Sequence, residues 1–231
     1  MTDHDHHHTE GEHANGGDLT EVPAADFLTA GFWDARYSTS DRLWSGHVND
    51  ALAEVTRDLV PGRALDAGCG EGGDALWLAE RGWEVTGTDV SPVALSRAAA
   101  YAQEVGLADR TRWEQHDLLT WAPEPGSFDL VLASFVHLPS GTRREVYAAL
   151  AASVAPGGGF VVLAHHYSDV GVVPRPDLPD LFFTPEELVA DLDPEAWEVV
   201  MATVRPRVAT HPEGHPVTVH DTVLHARRRT S

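Results

Sequence analysis

Short apolar runs alternate along this chain with longer segments in which apolar residues recur at helical spacing. Five runs are typical of strands, at 63–68, 83–89, 111–117, 128–135 and 160–167. Four segments are typical of amphipathic helices, at 50–60, 73–81, 91–106 and 141–155. Strands separated by helices of this length predict a parallel, doubly wound sheet with helices on both faces.

Local signals set some of these boundaries. Ser91 is a suitable N-cap, Pro92 suits the first helical turn, and Gly106 is suited to end that helix. The sequence APGGG at 155–159 predicts a turn that leads into the fifth strand.

The C-terminal part departs from the alternation. TPEE at 184–187 has the pattern of a capping box and predicts a short helix. Two β-rich runs, at about 197–208 and 217–227, flank the loop ATHPEGHP and predict an antiparallel hairpin. The expected fold class is therefore α/β, with a doubly wound, mostly parallel, seven-stranded sheet and a C-terminal antiparallel hairpin.

The first 21 residues have a different composition. They hold six carboxylates, no arginine and five histidines, namely His4, His6, His7, His8 and His13. Such a segment buries too little apolar surface to offset its ordering entropy, which predicts a disordered tail. Loose binding of zinc or nickel is the alternative, but the fixed ligand spacing of a metal site is missing, so we predict none. Residues 22–231 are expected to form one domain.

Charge and compartment narrow the range of partners. The net charge is −20, and all 16 basic residues are arginines. This charge disfavours nucleic acid and anionic membranes as partners. A single cysteine and the absence of a membrane-length apolar run or a secretory signal predict a soluble cytoplasmic protein, either monomer or homodimer.

A glycine-rich stretch follows the first predicted strand. In LDAGCGEGG, residues 65–73, Gly68, Gly70 and Gly73 fit the spacing G-x-G-x-x-G of dinucleotide sites, whereas Gly68, Gly70 and Gly72 fit a tighter G-x-G-x-G. Asp89 closes the second strand, where a carboxylate is placed to accept hydrogen bonds from a ribose diol. The glycines alone leave the cofactor open.

The surrounding motifs resemble a known family. ALDAGCGEGG, GTDVS, QHDLL, FDLVLASFVHL and VAPGGGFVVL occur in the order found in class I S-adenosylmethionine (SAM) dependent methyltransferases. The resemblance covers about residues 32–228 and implies a Rossmann-like fold, SAM as cofactor and S-adenosylhomocysteine as product.

The resemblance implies how the first two strand ends bind the cofactor. The backbone of Gly68, Cys69 and Gly70 would follow the methionine part of SAM, with Asp66 steadying the loop and its ligand. Asp89 would bind both ribose hydroxyls.

The other strand ends would contact adenine and the sulfonium. By the same resemblance Val90 would pack on adenine, and Asp117 would accept from its amino group beside Leu118. Ser134 and Phe135 would flank the sulfonium, whose positive charge suits carboxylates and aromatic faces.

Structural roles for some of these residues stay open. Asp66 is also suited to cap the next helix, and Asp117 to form a turn. Cys69 is read as a small buried side chain rather than a nucleophile.

The segment FWDARYSTSDRLWSGHVNDAL, residues 32–52, is rich in aromatic rings. It is similar to the lead-in of small-molecule methyltransferases of the thiopurine, thiol and tellurite-resistance type, which implies a lid at about 26–48. The rings implied to line it are Trp33, Tyr37 and Trp44. Arg36 would pair with the SAM carboxylate, or else be an exposed arginine on a packed helix. This chain has Val48 where the family usually has proline.

Methyl transfer to a hydroxyl or amine needs a base, for which histidine is suited, whereas a thiolate or halide needs none. His137 and His166, after the fourth and fifth strands, are the first candidates, and His47 and His165 the others. A long proline-rich loop, 168–183, is expected to shape the acceptor pocket, and Arg175 within it to meet an acidic acceptor or solvent.

The sequence thus predicts an enzyme that transfers a methyl group from SAM to a small-molecule acceptor by in-line displacement. A nicotinamide-dependent oxidoreductase with the same glycine turn is the first alternative, disfavoured because a Tyr-x-x-x-Lys pair cannot exist without lysine. A non-catalytic module that binds SAM or metal is the second.

Overall fold

The strands lie side by side in one sheet in the computed structural model, which describes residues 22–23, 25–39 and 48–230. In chain order they are β1 (Arg63–Ala67), β2 (Glu84–Asp89), β3 (Thr111–Gln115), β4 (Phe128–Ser134), β5 (Val154–His165), β6 (Trp197–Thr210) and β7 (Pro216–Arg228). Their order across the seven-stranded sheet is β3-β2-β1-β4-β5-β7-β6. Neighbours from β3 to β5 are parallel, whereas β7 is antiparallel to both β5 and β6. The predicted fold class is confirmed.

Helices cover both faces of the sheet. In the described residues they are α1 (Ala30–Tyr37), α2 (Asp50–Thr56), α3 (Gly73–Glu80), α4 (Pro92–Glu104), α5 (Ser140–Ala152) and α6 (Pro185–Ala190). Short 3-10 turns lie at Asp26–Leu28, Ala108–Arg110, Tyr167–Asp169 and Pro179–Leu181. None of the described helices is long and apolar enough to span a bilayer.

Strand β4 explains why both faces are covered. Leu130 and Leu132 pack with α2 and α3 on one face, whereas Val131 and Ala133 pack with α5 on the other. All four are fully buried. A strand that buries both faces reads as a continuous apolar run, as in other parallel sheets with helices on each side.

The predicted turn at 155–159 is wrong, because β5 begins at Val154 and includes those residues. The strand is irregular there: the pairing of β4 with β5 shifts register between Phe128 and Leu130, and Gly157 has φ +82°. A Cβ on Gly158 would lie 2.7 Å from the carbonyl oxygen of Asp129. The glycines therefore allow close backbone approach within a distorted strand.

Several local predictions are confirmed. The Ser91 hydroxyl caps α4 by accepting from the Ala94 N–H, and Thr184 and Glu187 form both bonds of the capping box. The hairpin of β6 and β7 is also confirmed. Several predicted elements extend beyond their observed ends, since α2 ends at Thr56, β3 at Gln115, α5 at Ala152 and β5 at His165. The predicted tail lies outside the described residues.

Candidate active site

The glycine turn lies at the carboxyl end of β1 and is tied to β2. The backbone N–H groups of Gly68 and Cys69 both donate to the carbonyl of Thr88, at 2.8 and 2.9 Å. Within this turn, the glycines with left-handed φ are Gly68, Gly70 and Gly72, at +72°, +53° and +81°. The turn therefore uses the tighter of the two spacings. A Cβ on Gly68 would lie 2.6 Å from Val136 Cγ2, so the turn also needs glycine for close packing.

Asp89 links this turn to the end of β2. Its Oδ2 accepts from the Gly70 N–H and its Oδ1 from the Ser91 N–H, both at 2.9 Å. Burial raises the pKa of Asp89, while these N–H groups favour its charged form. Each carboxylate oxygen has a further lone pair, so the group can still accept from a ligand.

Asp66 presents a half-satisfied carboxyl group beneath the same turn. Its side chain is buried and accepts from the Ala75 N–H of α3, as the capping interpretation predicts. Its Oδ2 is buried with no hydrogen-bond partner among the described residues. Burial, together with the nearby charges of Asp74 and Asp89, raises the pKa of Asp66 well above its ordinary value. A cationic group bound there would relieve this cost.

Helix α1 docks on the start of α4, beside Asp89. The Ser91 hydroxyl donates to Asp34 at 2.5 Å, and the rings of Trp33 and Tyr37 lie 6.2 Å apart on the same apolar cluster as Ala94. The charge of Asp34 contributes to the raised pKa of Asp89. The described part of the predicted lid therefore borders the turn.

Arg36 lies on the same helix and is half-buried. Its Nε is buried without a hydrogen-bond partner in the part of the chain that the structure describes, and burial lowers its pKa. These surroundings therefore fit an arginine that binds an anion better than an arginine that is exposed to solvent. Trp44 and His47 lie outside the described residues.

The predicted adenine contacts lie after β2 and β3. Gln115 Nε2 donates to the Val90 carbonyl at 3.1 Å, which holds the two strand ends together. Asp117 lies two residues beyond β3, where its Oδ1 accepts from the Leu119 N–H at 2.9 Å. Asp117 therefore forms a turn, as its structural interpretation predicts, and Leu118 packs against the core.

Phe135 is a backbone outlier at the end of β4. Its φ is +57°, and no other non-glycine residue in the described ranges has positive φ. Its N–H donates to the Leu163 carbonyl of β5 at 2.7 Å. The preceding residue, Ser134, lies beside Asp74, whose pKa burial raises to about 6. Strain of this kind clusters at ligand sites.

Both ring nitrogens of His137 are engaged. Nδ1 donates to the Leu181 carbonyl at 2.9 Å, and Nε2 accepts from the His165 N–H at 3.4 Å. Burial lowers the pKa of His137 to about 4. This imidazole is neutral and holds the loop after β5. Its predicted role as a base would require the bond to His165 to open.

His166 and His165 have different surroundings. His166 Nδ1 lies 2.9 Å from the Ser168 hydroxyl. The ring of His165 stacks between Phe135 and His137, with centroids 4.5 and 5.2 Å away. Burial lowers the pKa of His165 well below its ordinary value.

A histidine that the sequence analysis did not single out lies near His166. Asp169 is almost fully buried and accepts from both the backbone N–H and the ring Nδ1 of His220, at 2.7 and 2.9 Å. This bond orients the His220 ring with Nδ1 toward Asp169. In the sequence, His220 is recognisable only as a histidine in the last strand. Its position near His166 depends on the pairing of β7 with β5, which the sequence does not reveal.

A polar cluster fills the same edge, where β7 meets β5. Asp221 pairs in register with His165 and accepts from Arg207 Nε at 2.7 Å and from Asn49 Nδ2 at 2.8 Å. Burial alone would raise the pKa of Asp221, but these partners lower it to about 2. Arg175 lies close enough for its charge to act on Asp221 and Asp169.

One cluster with metal-ligand side chains occurs in the described ranges, at the β6–β7 loop. Ligand atoms of His211, Glu213 and His215 lie within 4.8 Å of one another. Glu213 and His215 are exposed. The sequence analysis did not single out this cluster, and its prediction of no metal site stays a prediction.

Comparison with known proteins agrees with this geometry. Residues 64–158 match a family described as a methyltransferase domain. A 2-heptyl-1-hydroxyquinolin-4(1H)-one methyltransferase of Mycobacteroides abscessus is 34% identical over 116 residues, which are 49% of this chain and 51% of that protein. The chain therefore spans about half the length of this curated relative.

Two solved structures cover more of the chain. One was determined in work on the conversion of a disulfide bond into a thioacetal group during echinomycin biosynthesis. Its TM-score is 0.70 at 26% identity, covering 87% of this chain and 92% of that one. TehB from Haemophilus influenzae has a similar fold, with a TM-score of 0.66 at 17% identity over 87% of this chain and 67% of that one. With the seven-stranded sheet and its glycine turn, these matches support a class I SAM-dependent methyltransferase, with the methyltransferase-domain match confined to residues 64–158.

Proposed function

We propose that this protein transfers a methyl group from SAM to a small-molecule acceptor. The observation that carries the proposal is a pair of buried polar atoms without a hydrogen-bond partner among the described residues. One is a carboxyl oxygen, Asp66 Oδ2, beneath the glycine turn, and the other is a guanidinium nitrogen, Arg36 Nε, in the adjoining helix. The methionine part of SAM carries an ammonium and a carboxylate, which are complementary to these two groups.

The other described residues fit the nucleoside. Asp89, anchored by two backbone N–H groups, would bind the ribose diol, with Val90 against adenine and Asp117 and Leu118 at its edge. Phe135 would lie beside the sulfonium with Ser134. The backbone of Gly68, Cys69 and Gly70 is free of side chains that would exclude the methionine part, apart from the Cys69 thiol, whose pKa burial raises.

Bound SAM supplies a methyl group made electrophilic by its cationic sulfur. The chain would then contribute by holding an acceptor atom in line with that methyl group and by excluding water. We propose residues 26–48 as the lid and residues 22–231 as the domain that performs this task. The acceptor is expected to be a small molecule rather than nucleic acid, because the chain carries a net charge of −20.

Calorimetric titration with S-adenosylhomocysteine and with NAD tests the proposal. We expect the parent protein to bind S-adenosylhomocysteine and not NAD. Asp89→Ala should weaken this binding about 10- to 100-fold, the range expected for lost hydrogen bonds to a charged group. Asp109→Asn is the matched control, because Asp109 is an exposed carboxylate before β3. Equal affinity of Asp89→Ala and the parent would refute the ribose assignment.

The acceptor atom can be identified by a second measurement. Release of S-adenosylhomocysteine from SAM should be followed across thiols, phenols, amines, halides and tellurite. Turnover that falls with pH below the acceptor's own pKa, and that His166→Gln does not change, would indicate that no base is used. Loss of turnover in His166→Gln at constant S-adenosylhomocysteine affinity would support His166 as a base.

A further inference from the structure

The loop between β6 and β7 brings three metal-ligand side chains together. Ligand atoms of His211, Glu213 and His215 lie within 4.8 Å of one another, and in the described ranges no other group of three such side chains does so. The rings of His211 and His215 stack with their centroids 4.5 Å apart. Glu213 Oε2 lies 3.8 Å from Nδ1 of His211 and 4.0 Å from Nδ1 of His215. One carboxylate oxygen therefore lies near two imidazole nitrogens.

These distances fit an intervening ion better than direct bonds. At 3.8 and 4.0 Å, the two nitrogens are too far from the carboxylate oxygen for hydrogen bonds. Around a tetrahedral zinc ion, bond lengths of about 2.0–2.2 Å place neighbouring ligand atoms roughly 3.3–3.6 Å apart. Both observed distances exceed that spacing by about half an ångström. Because the Glu213 side chain is exposed, a small rotation of it can close this difference.

The backbone holds the two histidines opposite each other. The His211 N–H donates to the His215 carbonyl at 2.8 Å, and the Gly214 N–H donates to the His211 carbonyl at 2.7 Å. Gly214 has φ +86°, and a left-handed glycine of this kind is common in short hairpin loops. Pro212 further restricts the loop, because its ring fixes φ. An ion bound here would therefore need little additional ordering of the chain.

His211 already presents an unprotonated nitrogen toward Glu213. The backbone N–H of Glu213 donates to His211 Nδ1 at 3.2 Å, so this nitrogen acts as an acceptor. A metal ion also requires an imidazole nitrogen without a proton. Binding through Nδ1 would exchange this long hydrogen bond for coordination, and the N–H of the exposed Glu213 can then bind water.

The loop extends beyond the carboxyl edge of the sheet. Pairing of β7 with β5 begins at Asp221, which lies opposite His165 at the end of β5. Residues 216–220 of β7 pair with β6 alone, so along the strand the loop begins about 17 Å beyond that point. An ion bound to both His211 and His215 would therefore link the ends of two strands that no third strand supports.

We propose that His211, Glu213 and His215 bind a divalent metal ion that prefers imidazole ligands, such as Zn²⁺. Two imidazoles and one carboxylate form a known type of three-ligand zinc site, whereas Mg²⁺ and Ca²⁺ prefer oxygen ligands. No fourth ligand joins this group in the part of the chain that the structure describes, which leaves one position of a tetrahedral ion to water. The proposal does not rest on the proposed methyl transfer.

Calorimetric titration with zinc chloride tests the site once the histidines near the N-terminus are removed. The reference variant is the full chain with glutamine in place of these five residues: His4, His6, His7, His8 and His13. We expect it to bind one Zn²⁺ and to bind Mg²⁺ far more weakly. In this background His211→Gln, Glu213→Gln and His215→Gln should each weaken zinc binding by at least about 10- to 100-fold. A loss of that size is typical even for residues that merely orient metal ligands.

His116→Gln in the same background is the matched control. His116 Nε2 lies 3.3 Å from Glu114 Oε2, so this change removes a histidine beside a single carboxylate and should leave the zinc affinity unchanged. Because the β6–β7 loop is largely exposed, its variants are expected to fold, which circular dichroism checks.

X-ray absorption of the zinc-loaded reference variant measures the ligand set directly, and we expect two imidazole ligands. Four results would each overturn the proposal. They are no zinc binding by the reference variant, which would leave the group as a surface ion pair, unchanged zinc affinity in any of the three loop variants, Mg²⁺ bound as tightly as Zn²⁺, and a zinc spectrum without two imidazoles.

Discussion

Several residues at the carboxyl edge of the sheet bear buried polar atoms that the described residues leave without a hydrogen-bond partner, among them Asp66 Oδ2, Arg36 Nε and Arg175 Nε. Each lowers the stability of the ligand-free protein, because a charged or polar group has left water without a full set of partners. The resemblance to the methyltransferase motifs implied a cofactor role for Asp66, and the resemblance of the lid segment implied one for Arg36. The burial of Arg175 follows from loop packing, which no local sequence signal encodes.

His137 should make the protein less stable in mild acid. Its pKa is about 4 when folded, against an ordinary value near 6.5, so between these values the unfolded chain binds more protons and stability is lost as pH falls. From about pH 7.5 to about pH 5 the expected loss is about 2 kcal/mol. His137→Gln should reduce the acid-induced loss by that amount, as measured by urea unfolding at both pH values.

The difference between variant and parent isolates this effect. Asp66 and Asp74 have raised pKa values and act in the opposite sense, since they favour the folded state as they are protonated, but they are present in both proteins. His215→Gln, at the exposed hairpin loop, is the control and should leave the acid-induced loss unchanged. An unaltered loss in His137→Gln would show that its ring is not held neutral.

At the scale of helices and strands, the sequence predicts elements well where their signals are local. Ser91 and the TPEE box mark real helix starts, because a cap involves neighbouring residues only. The glycines at 157–159 were misread, because their role depends on the backbone of β4, which is distant in sequence. A glycine needed for a turn and one needed for close approach look alike in a sequence.

Two glycine substitutions distinguish these roles. Gly158→Ala should destabilise the protein by about 1–3 kcal/mol, because its Cβ would collide with the Asp129 carbonyl oxygen. Gly141→Ala, in α5 with no atom within 4 Å of the new Cβ, should stabilise it by about 0.5–1 kcal/mol. Chemical unfolding of both variants measures the difference. A neutral Gly158→Ala would mean that β5 adjusts without cost.

For the molecule as a whole, topology was predictable and the acceptor side of the cleft was not. Alternating strands and helices imply which edge carries the strand ends, so Asp66, Gly68 and Asp89 could be placed together. Asp221 and His220 reach this edge only because β7 runs antiparallel to β5 in one particular register. A shift of one residue would exchange the faces of the sheet on which they lie.

Ligand binding should stabilise the whole domain if the proposed function is correct. S-adenosylhomocysteine at 100 times its dissociation constant should raise the free energy of unfolding by about 2.7 kcal/mol. For a chain of 231 residues this corresponds to an increase in melting temperature of roughly 5–10 °C. Differential scanning fluorimetry measures the shift, and NAD at the same concentration should give none. Equal shifts with both ligands would contradict a SAM-specific cleft.

The hydrogen bond from Asn49 to Asp221 joins residues 172 positions apart. A ribosome adding 5–20 residues per second makes these partners roughly 10–35 s apart. Asn49 caps α2, directly after the segment proposed to close over the cleft. This bond can form only when the last strand has been synthesised. A nascent chain can therefore pair its parallel strands before the hydrogen bond at the entrance of the cleft is made.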